Sequence, residues 1–337
     1  MTPSDKNRKV IYAKRPSGAP TTDCFALQDM PVPVPGDGQA LIRNDYLSVD
    51  PYIRMRMEEK DSYAPVMAIG ETLVGRTVGQ VVISQIGGLA AGDWVVGRLG
   101  WQDFSVAGAA DLQKIDLAAA PATAYLGALG STGITAWVGL MTFGRPQAGE
   151  TVLVSAASGA VGSVVGQLAK LQGCRAVGIA GGAAKCALVK EAFGFDDCVD
   201  YKSPRFAEEL AAAVPAGVDV YFDNVGGPIL DAVLPLLNNF ARIPLCGLVS
   251  QYNATEPYGV KHLREIFNRR VTMRGFVLSD HKDLWPAATQ ALAQAYAAGK
   301  LAYRETIADG LENAPQAFID MLDGRNVGKQ LVRLRPA

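Results

Sequence analysis

Hydrophobic and polar positions follow two different rhythms along the chain. In residues 1–120, short apolar runs (Lys9–Lys14, Gln39–Asn44, Val74–Ser84 and Asp93–Ala107) are cut apart by turn residues. The turns fall at Pro31–Gly38, at Gly87-Gly88 and at Ala91-Gly92-Asp93. This texture predicts a β-rich unit, with Val78, Val81, Val82 and Ile83 on a strand buried on both sides. Residues 123–143, rich in Ala and Gly, predict a helical stretch. Beyond them apolar runs alternate with helical patterns at βαβ spacing, predicting strands at 151–155, 175–179, 197–201, 218–223, 241–249 and 271–278. That rhythm is the mark of an α/β doubly wound parallel sheet. After Lys300, strands at 301–307 and 330–334 flank an amphipathic helix at about 311–322, and the tail is expected to complete the first unit. The expected division is therefore 1–125 and 300–337 around an inserted sheet unit, 126–299.

The centre of the second rhythm is residues 151–174. Thr151–Ser155 reads as a buried strand, Ala156–Gly162 as a turn of small residues, and the following segment as a helix with Val161, Val164, Val165 and Leu168 on one stripe. A strand, a small-residue turn and a helix together present free backbone N–H groups to a pyrophosphate. The fingerprint G-x-G-x-x-G is imperfect, with Ala157, Gly159 and Gly162 at its three positions, but its strand-and-helix context is the one required. An acidic residue at the end of the second strand would hold a ribose 2′-hydroxyl. Here the strand runs instead into Ala180-Gly181-Gly182-Ala183-Ala184-Lys185, which favours NADPH over NADH. The alternative is that Lys185 is an exposed lysine on the next helix. Asn224, Gly247 and Phe276 fall at or near the carboxyl ends of their strands, the edge where such sheets bind ligands.

Length and composition narrow the class. At 337 residues two domains are expected, and 49% hydrophobic with 19% charged residues describes a well-packed globular chain. Basic and acidic residues nearly cancel, 32 against 33, and no long basic run occurs, so neither nucleic acid nor an anionic membrane is indicated as partner. The opening MTPSDKNRKV has no apolar core of a signal peptide, and the most apolar region, about 117–141, is broken by Pro121, glycines and hydroxyl residues. Cys24, Cys174, Cys186, Cys198 and Cys246 show no C-x-x-C spacing and read as small buried residues in a reducing cytoplasm.

Between Cys24 and Cys174 there is no cysteine or histidine, so the usual zinc site of a dehydrogenase is not expected in the first unit, and no metal is expected. No nucleophile elbow or P-loop is present. The remaining proton donors are tyrosines. Tyr252, in Gly247–Asn253 just beyond the fifth strand, is placed to donate to a substrate oxygen that gains charge; packing of its loop is the competing reading. Tyr52, in Leu47–Tyr52 ahead of Arg54 and Arg56, reads as lining for a substrate or as part of an ordinary loop.

These residues resemble the zinc-independent branch of the medium-chain dehydrogenases/reductases, which includes leukotriene and prostaglandin reductases, plant double-bond reductases and bacterial NADPH-dependent curcumin reductases. The likeness is greatest to the last group. It is carried by LSVDPYIRMRM (47–57), GDWVVGRLGWQDF (92–104), AASGAVGSVVGQLAKLQGC (156–174), DNVGG (223–227), ARIPLCGLVSQYNAT (241–255), GLENAPQAF (310–318) and GRNVGK (324–329). The resemblance implies a Rossmann domain inserted in a GroES-like catalytic domain, and a homodimer. It further implies that Gly159, Ala160, Val161 and Gly162 hold the pyrophosphate, and Lys185 and Tyr201 the adenosine phosphate. By the same resemblance Thr135, Asn224, the segment Cys246, Gly247, Leu248, Val249, Ser250 to Tyr252, and Phe276, Val277 and Leu278 surround the nicotinamide, with Asn326 reaching the cofactor from the tail. Tyr252 matches an enolate-stabilising tyrosine and Tyr52 a substrate-pocket tyrosine. The implied activity is NADPH-dependent reduction of the C=C bond of enones and enals. Quinone reduction, or nucleotide binding for a scaffolding role, are the alternatives. One departure is visible: Glu256–Val260 leads quickly toward a helix, so the loop that borders the family's substrate pocket is shortened.

Overall fold

The computed structural model describes residues 6–59 and 62–335, which leaves Met1–Asp5 of the opening segment outside the described residues. The chain divides into two units: everything described up to Leu126 together with Glu305 onward, and the continuous stretch Gly127–Arg304.

In the first unit β1 (Lys6–Tyr12) and β2 (Phe25–Pro31) form an antiparallel hairpin. The following elements are β3 (Gln39–Ser48), α1 (Tyr52–Met55), β4 (Thr77–Ser84), β5 (Trp94–Gly97), β6 (Phe104–Gly108) and β7 (Leu112–Lys114). In the second unit β8 (Thr151–Ser155), β9 (Arg175–Ala180), β10 (Asp197–Asp200), β11 (Val218–Phe222), β12 (Leu237–Leu245) and β13 (Thr272–Gly275) alternate with helices. These are α2 (Ser131–Val138), α3 (Gly162–Leu171), α4 (Ala183–Phe193), α5 (Phe206–Ala213), α6 (Gly227–Val233), α7 (Arg264–Asn268) and α8 (Trp285–Ala297). The chain then returns as β14 (Glu305–Asp309), α9 (Ala314–Leu322) and β15 (Lys329–Arg333), whose strands join the sheet of the first unit.

The expected sheet is present. All its strands are parallel, in the order β10-β9-β8-β11-β12-β13, so successive strands run outward on one side of β8 and then on the other. β8 is buried along its whole length, which suits a parallel strand covered on both faces. Val152 and Val154 point into the core that contains α2, α3 and α8, while Leu153 points into the core on the opposite face, with residues of α5 and α6. In the first unit β3 gathers the sheet. β4 pairs with it along one edge, whereas the other edge is divided between β6 at Gln39–Arg43 and β15 at Tyr46–Ser48. Trp101 is the centre of that core, stacked on Phe25 and meeting Phe318 of α9 edge-on at 6.0 Å. Ala314, Ala317, Phe318 and Met321 supply the buried stripe of α9.

Several predicted elements differ from the observed ones. β2 was not anticipated. The run Asp93–Ala107 is two strands, because the chain turns through Gly100 (φ 78°) between β5 and β6. Val78 and Val81 are buried, but Val82 and Ile83 are exposed, since β5 covers β4 only as far as Gln80. Residues 123–143 are not one helix: a 3₁₀ turn, Ala122–Leu126, ends the first unit, and α2 continues as π-helix over Gly139–Gly144. The predicted strand 241–249 lies earlier, at Leu237–Leu245, because the N–H groups of Cys246 and Gly247 turn away to the Asp223 carbonyl at 2.8 and 3.2 Å. Cys24, Cys174, Cys186 and Cys198 are buried as expected; Cys246 is only half-buried. Among the described residues, no helix is long and apolar enough to cross a membrane.

Candidate active site

The strand order of the sheet reverses between β8 and β11, where a doubly wound sheet leaves a crevice at the carboxyl ends of its strands. Three hydrogen bonds tie the two strand ends there. Ser155 Oγ donates to Asp223 Oδ1 at 3.0 Å, the Asn224 N–H donates to Ser155 Oγ at 2.8 Å, and Asn224 Nδ2 donates to the Ser155 carbonyl at 2.8 Å. Asp223 is buried, and its Oδ1 also accepts from Tyr221 Oη and the N–H groups of Val225 and Gly226. Its Oδ2 has no partner, and burial pushes its pKa above the usual carboxylate range. Ser155 and Asp223 tie these two strand ends together, and neither stood out in the sequence.

Directly after β8 the chain makes the small-residue turn. Ala156 takes a left-handed conformation (φ 51°), which brings its carbonyl to accept the Gly159 N–H at 2.9 Å. Such a conformation is uncommon for a residue with a side chain and marks a locally enforced geometry. A Cβ on Gly162 would lie 2.3 Å from that same carbonyl, so glycine is required there. The N–H groups of Ala160, Val161 and Gly162 stand at the start of α3. A helix start leaves backbone donors without intrahelical acceptors, an arrangement that a phosphate fits. The alanine at the first fingerprint position is accommodated from the neighbouring strand. A Cβ on Gly178 of β9 would come within 2.8 Å of the Ala157 methyl, so Gly178 clears the volume that Ala157 fills.

At the ends of β9 and β10 Tyr201, Lys202 and Lys185 come into one neighbourhood. Tyr201 packs its ring over Gly181, where a Cβ would come within 2.8 Å of it. Lys202 lies over the Tyr201 ring, its Nζ 6.0 Å from the centroid. Lys185 on α4 is half-buried, and burial, then the charge of Lys202, holds its ammonium below the ordinary lysine value. Two lysines that repel one another in this way suit a doubly charged phosphate. Asp200 Oδ1 accepts from the N–H groups of Gly182 and Lys202 at 2.7 and 2.9 Å, so one carboxylate does stand in this region, occupied by the backbone. Lys202 was missed because nothing in the linear spacing pairs it with Lys185.

At the ends of β11 and β12, the N–H groups of Cys246 and Gly247 donate to the Asp223 carbonyl, and Val249 N–H donates to the Asn224 carbonyl at 3.3 Å. Ser250 Oγ donates to the Val225 carbonyl at 2.7 Å. Tyr252 folds back over this segment, its hydroxyl oxygen accepting the Leu248 N–H at 3.3 Å and lying against Gly247. The phenol is thus held against the segment that follows β12. Burial, with the nearby Asp223 charge, pushes the Cys246 thiol up to about 12, so it is a neutral packing group. The Phe276 ring turns into the core against Phe143 and Phe222, which leaves the backbone of Phe276, Val277 and Leu278 at the end of β13. Thr135 lies on α2 with its hydroxyl bonded to the Ser131 carbonyl at 2.8 Å. Tyr52, at the start of α1, and Asn326, whose Nδ2 donates to the Gly328 carbonyl at 2.9 Å, belong to the other unit.

The shortened loop does not lead straight into a helix: α7 begins only at Arg264. Asp231 of α6 fastens the segment between, accepting from Tyr258 Oη at 2.9 Å and from the N–H groups of Lys261 and His262 at 3.0 and 2.8 Å.

The profile of an oxidoreductase N-terminal domain matches residues 8–115, and that of a zinc-binding dehydrogenase matches residues 160–294. The NADPH-dependent curcumin reductase of Escherichia coli (strain K12) is 47% identical, over 98% of this chain and 97% of its own length. The chain belongs to the zinc-independent branch of the medium-chain dehydrogenases/reductases. The 2-alkenal reductase (NADP(+)-dependent) of Nicotiana tabacum is 39% identical over 98% of both chains. The crystal structure of CurA in complex with NADPH from Vibrio vulnificus matches with a TM-score of 0.93 at 44% identity, covering 98% of this chain and 100% of that one. The second profile is described as zinc-binding; among the described residues of this medium-chain dehydrogenase/reductase no group of three or more His, Cys, Asp or Glu side chains that could hold a metal ion comes together.

Proposed function

We propose that the chain reduces the C=C bond of α,β-unsaturated ketones and aldehydes, from short alkenals to curcumin-like enones, with NADPH. The observation that carries the reading is the Tyr252 hydroxyl held by the Leu248 N–H just beyond β12, in the same unit as the small-residue turn that opens α3. The relatives named as NADPH-dependent curcumin reductase and 2-alkenal reductase support it.

In this reading the N–H groups of Ala160, Val161 and Gly162 hold the pyrophosphate, while Lys185, Lys202 and Tyr201 hold the 2′-phosphate. Asn224 and the segment Cys246–Ser250 flank the nicotinamide. When bound, NADPH supplies a hydride to the β-carbon of the conjugated bond. Negative charge then gathers on the carbonyl oxygen as an enolate, and no metal-ligand cluster among the described residues is available to meet it. Tyr252 donates a hydrogen bond to that oxygen. A donor fixed in advance spends nothing on reorganising when the charge arrives, which is why such groups matter most in the transition state. The α-carbon takes its proton from solvent or through the tyrosine. The reading includes a homodimer, which analytical ultracentrifugation would test.

The test is NADPH consumption across alkenals, diarylenones and quinones, with the product examined for a saturated bond and an intact carbonyl. Enone reduction is expected. Turnover of quinones with enones inert, or NADPH binding with no substrate consumed, would overturn the proposal.

A further inference from the structure

Asp231 is a buried acid in the middle of α6, where an apolar side chain is the usual occupant. Its Oδ2 accepts from Tyr258 Oη, and its Oδ1 accepts from the N–H groups of Lys261 and His262. His262 Nδ1 lies 3.1 Å from the same Oδ1. Burial opposes its charge, but the His262 N–H, the Tyr258 hydroxyl and the Lys261 N–H hold the carboxyl below its usual range. It is therefore an ionised acceptor, and what it fastens lies 27 to 31 residues further along the chain.

One turn earlier on the same helix face, Gly227 carries the other end of that segment. A Cβ there would stand 2.6 Å from Ser250 Oγ and 2.8 Å from Gln251 Nε2, and a Cβ on Gly226 would stand 2.4 Å from Leu248 Cδ2. Gln251 joins the two ends. Its Nε2 donates to Ser250 Oγ at 3.0 Å, and its Oε1 accepts the Tyr258 N–H at 2.9 Å. Tyr252 thus lies between two residues held against α6, Gln251 and Tyr258, while its hydroxyl returns to the Leu248 N–H. Residues 254–257 are exposed, so little packing is available to fix that stretch.

We propose that Asp231 is a positioning residue for the Tyr252 phenol, acting through Tyr258 and Gln251. The proposal rests on the enone-reductase reading, in which that phenol meets the enolate, and adds what holds it in place. A catalytic group displaced by about 1 Å loses about a hundredfold in rate, even when the cause lies away from the chemistry. Without the carboxylate, the Lys261 and His262 N–H groups and the Tyr258 hydroxyl lose this acceptor, and the far end of the segment is released.

Asp231→Ala is expected to lower kcat on hept-3-en-2-one roughly ten- to hundredfold, with the Kd for NADPH unchanged. Asp231→Asn keeps an oxygen for the two N–H groups and should recover part of the loss. Tyr258→Phe removes a single link and should lower kcat by less; it carries the test where Asp231→Ala does not fold. A residue that acts through the phenol has no further effect once the phenol is gone. Tyr258→Phe combined with Tyr252→Phe should therefore match Tyr252→Phe alone, whereas a residue that only stabilises the fold would lower both backgrounds equally. Hydrogen exchange at the Leu248 N–H, which the phenol accepts, reads the same positioning without turnover, and it should be faster in Asp231→Ala and Tyr258→Phe. Faster exchange with every enone inert in the wild-type chain would keep the positioning and sink the reductase reading. Enone reduction with normal kcat in both variants, additive losses in the double variant, or exchange at Leu248 unmoved would overturn the positioning.

Discussion

The Tyr252 hydroxyl accepts from a backbone N–H, and an oxygen polarised in this way becomes a better donor of its own proton. Tyr252→Phe is therefore expected to lower kcat on an enone by about 10²–10³, the usual worth of one preorganised oxyanion donor, with little change in the Kd for NADPH. Near-normal turnover would remove Tyr252 from the chemistry. Lys185 gives a pH test. Its pKa is lowered by burial and by Lys202, so it loses its charge earlier on the alkaline side than an isolated lysine. KM for NADPH should rise at alkaline pH while KM for NADH stays flat. Lys185→Ala should raise KM for NADPH and abolish that rise, and Lys202→Ala should move it to higher pH. Equal effects on both cofactors would remove the 2′-phosphate assignment. At this scale much was legible: Tyr252 stood out by its place after the fifth strand, and Lys185 by the missing acid. Lys202 and Asp223 were not, because each owes its meaning to neighbours supplied by the fold.

Between elements the informative contact is Ala157 against Gly178. A Gly178→Ala methyl would meet Ala157 at 2.8 Å, Val189 Cγ1 at 3.0 Å and Cys198 Sγ at 3.2 Å. Overpacking of this kind costs about 1–3 kcal/mol, which thermal denaturation should show as a lower Tm. Ala157→Gly in the same chain should restore part of the loss, and a double-mutant cycle measures the coupling. Strict additivity would show that the two positions do not share the space. Strand existence and order were readable from the βαβ rhythm because parallel buried strands are long apolar runs. Their ends were less so. β12 starts early and contains Phe240 at φ 64°, with a register shift against β11 between Val218 and Val220, and no apolar pattern announces such irregularity. The pinning of the segment after Tyr252 by Asp231 was equally invisible, since that aspartate lies on an earlier helix.

For the whole molecule the decisive fact is that β15 lies between β14 and β3 in the sheet. Ending the chain after Arg304 would remove α9 and both strands, strip Phe318 from Trp101, and leave part of the β3 edge unpaired. Exposed strand edges promote association. The truncated chain is expected to aggregate or to lose protease resistance up to Leu126, while Gly127–Arg304, whose sheet is intact, keeps its helical signal and still binds NADPH. A soluble truncated chain with both units resistant would contradict this. That the tail returns was inferred from its β texture alone. Which strand it would join was not, because Tyr46 and Arg333 share no local pattern.

The divided edge of β3 also sets an order of events during synthesis. Its first half meets β6 soon after leaving the ribosome, but its second half must wait for residues 329–333. At about 5–20 residues per second, that delay is on the order of tens of seconds. Through that interval the inserted unit can finish folding while its host stands open, which makes the nascent host unit the natural client of a chaperone.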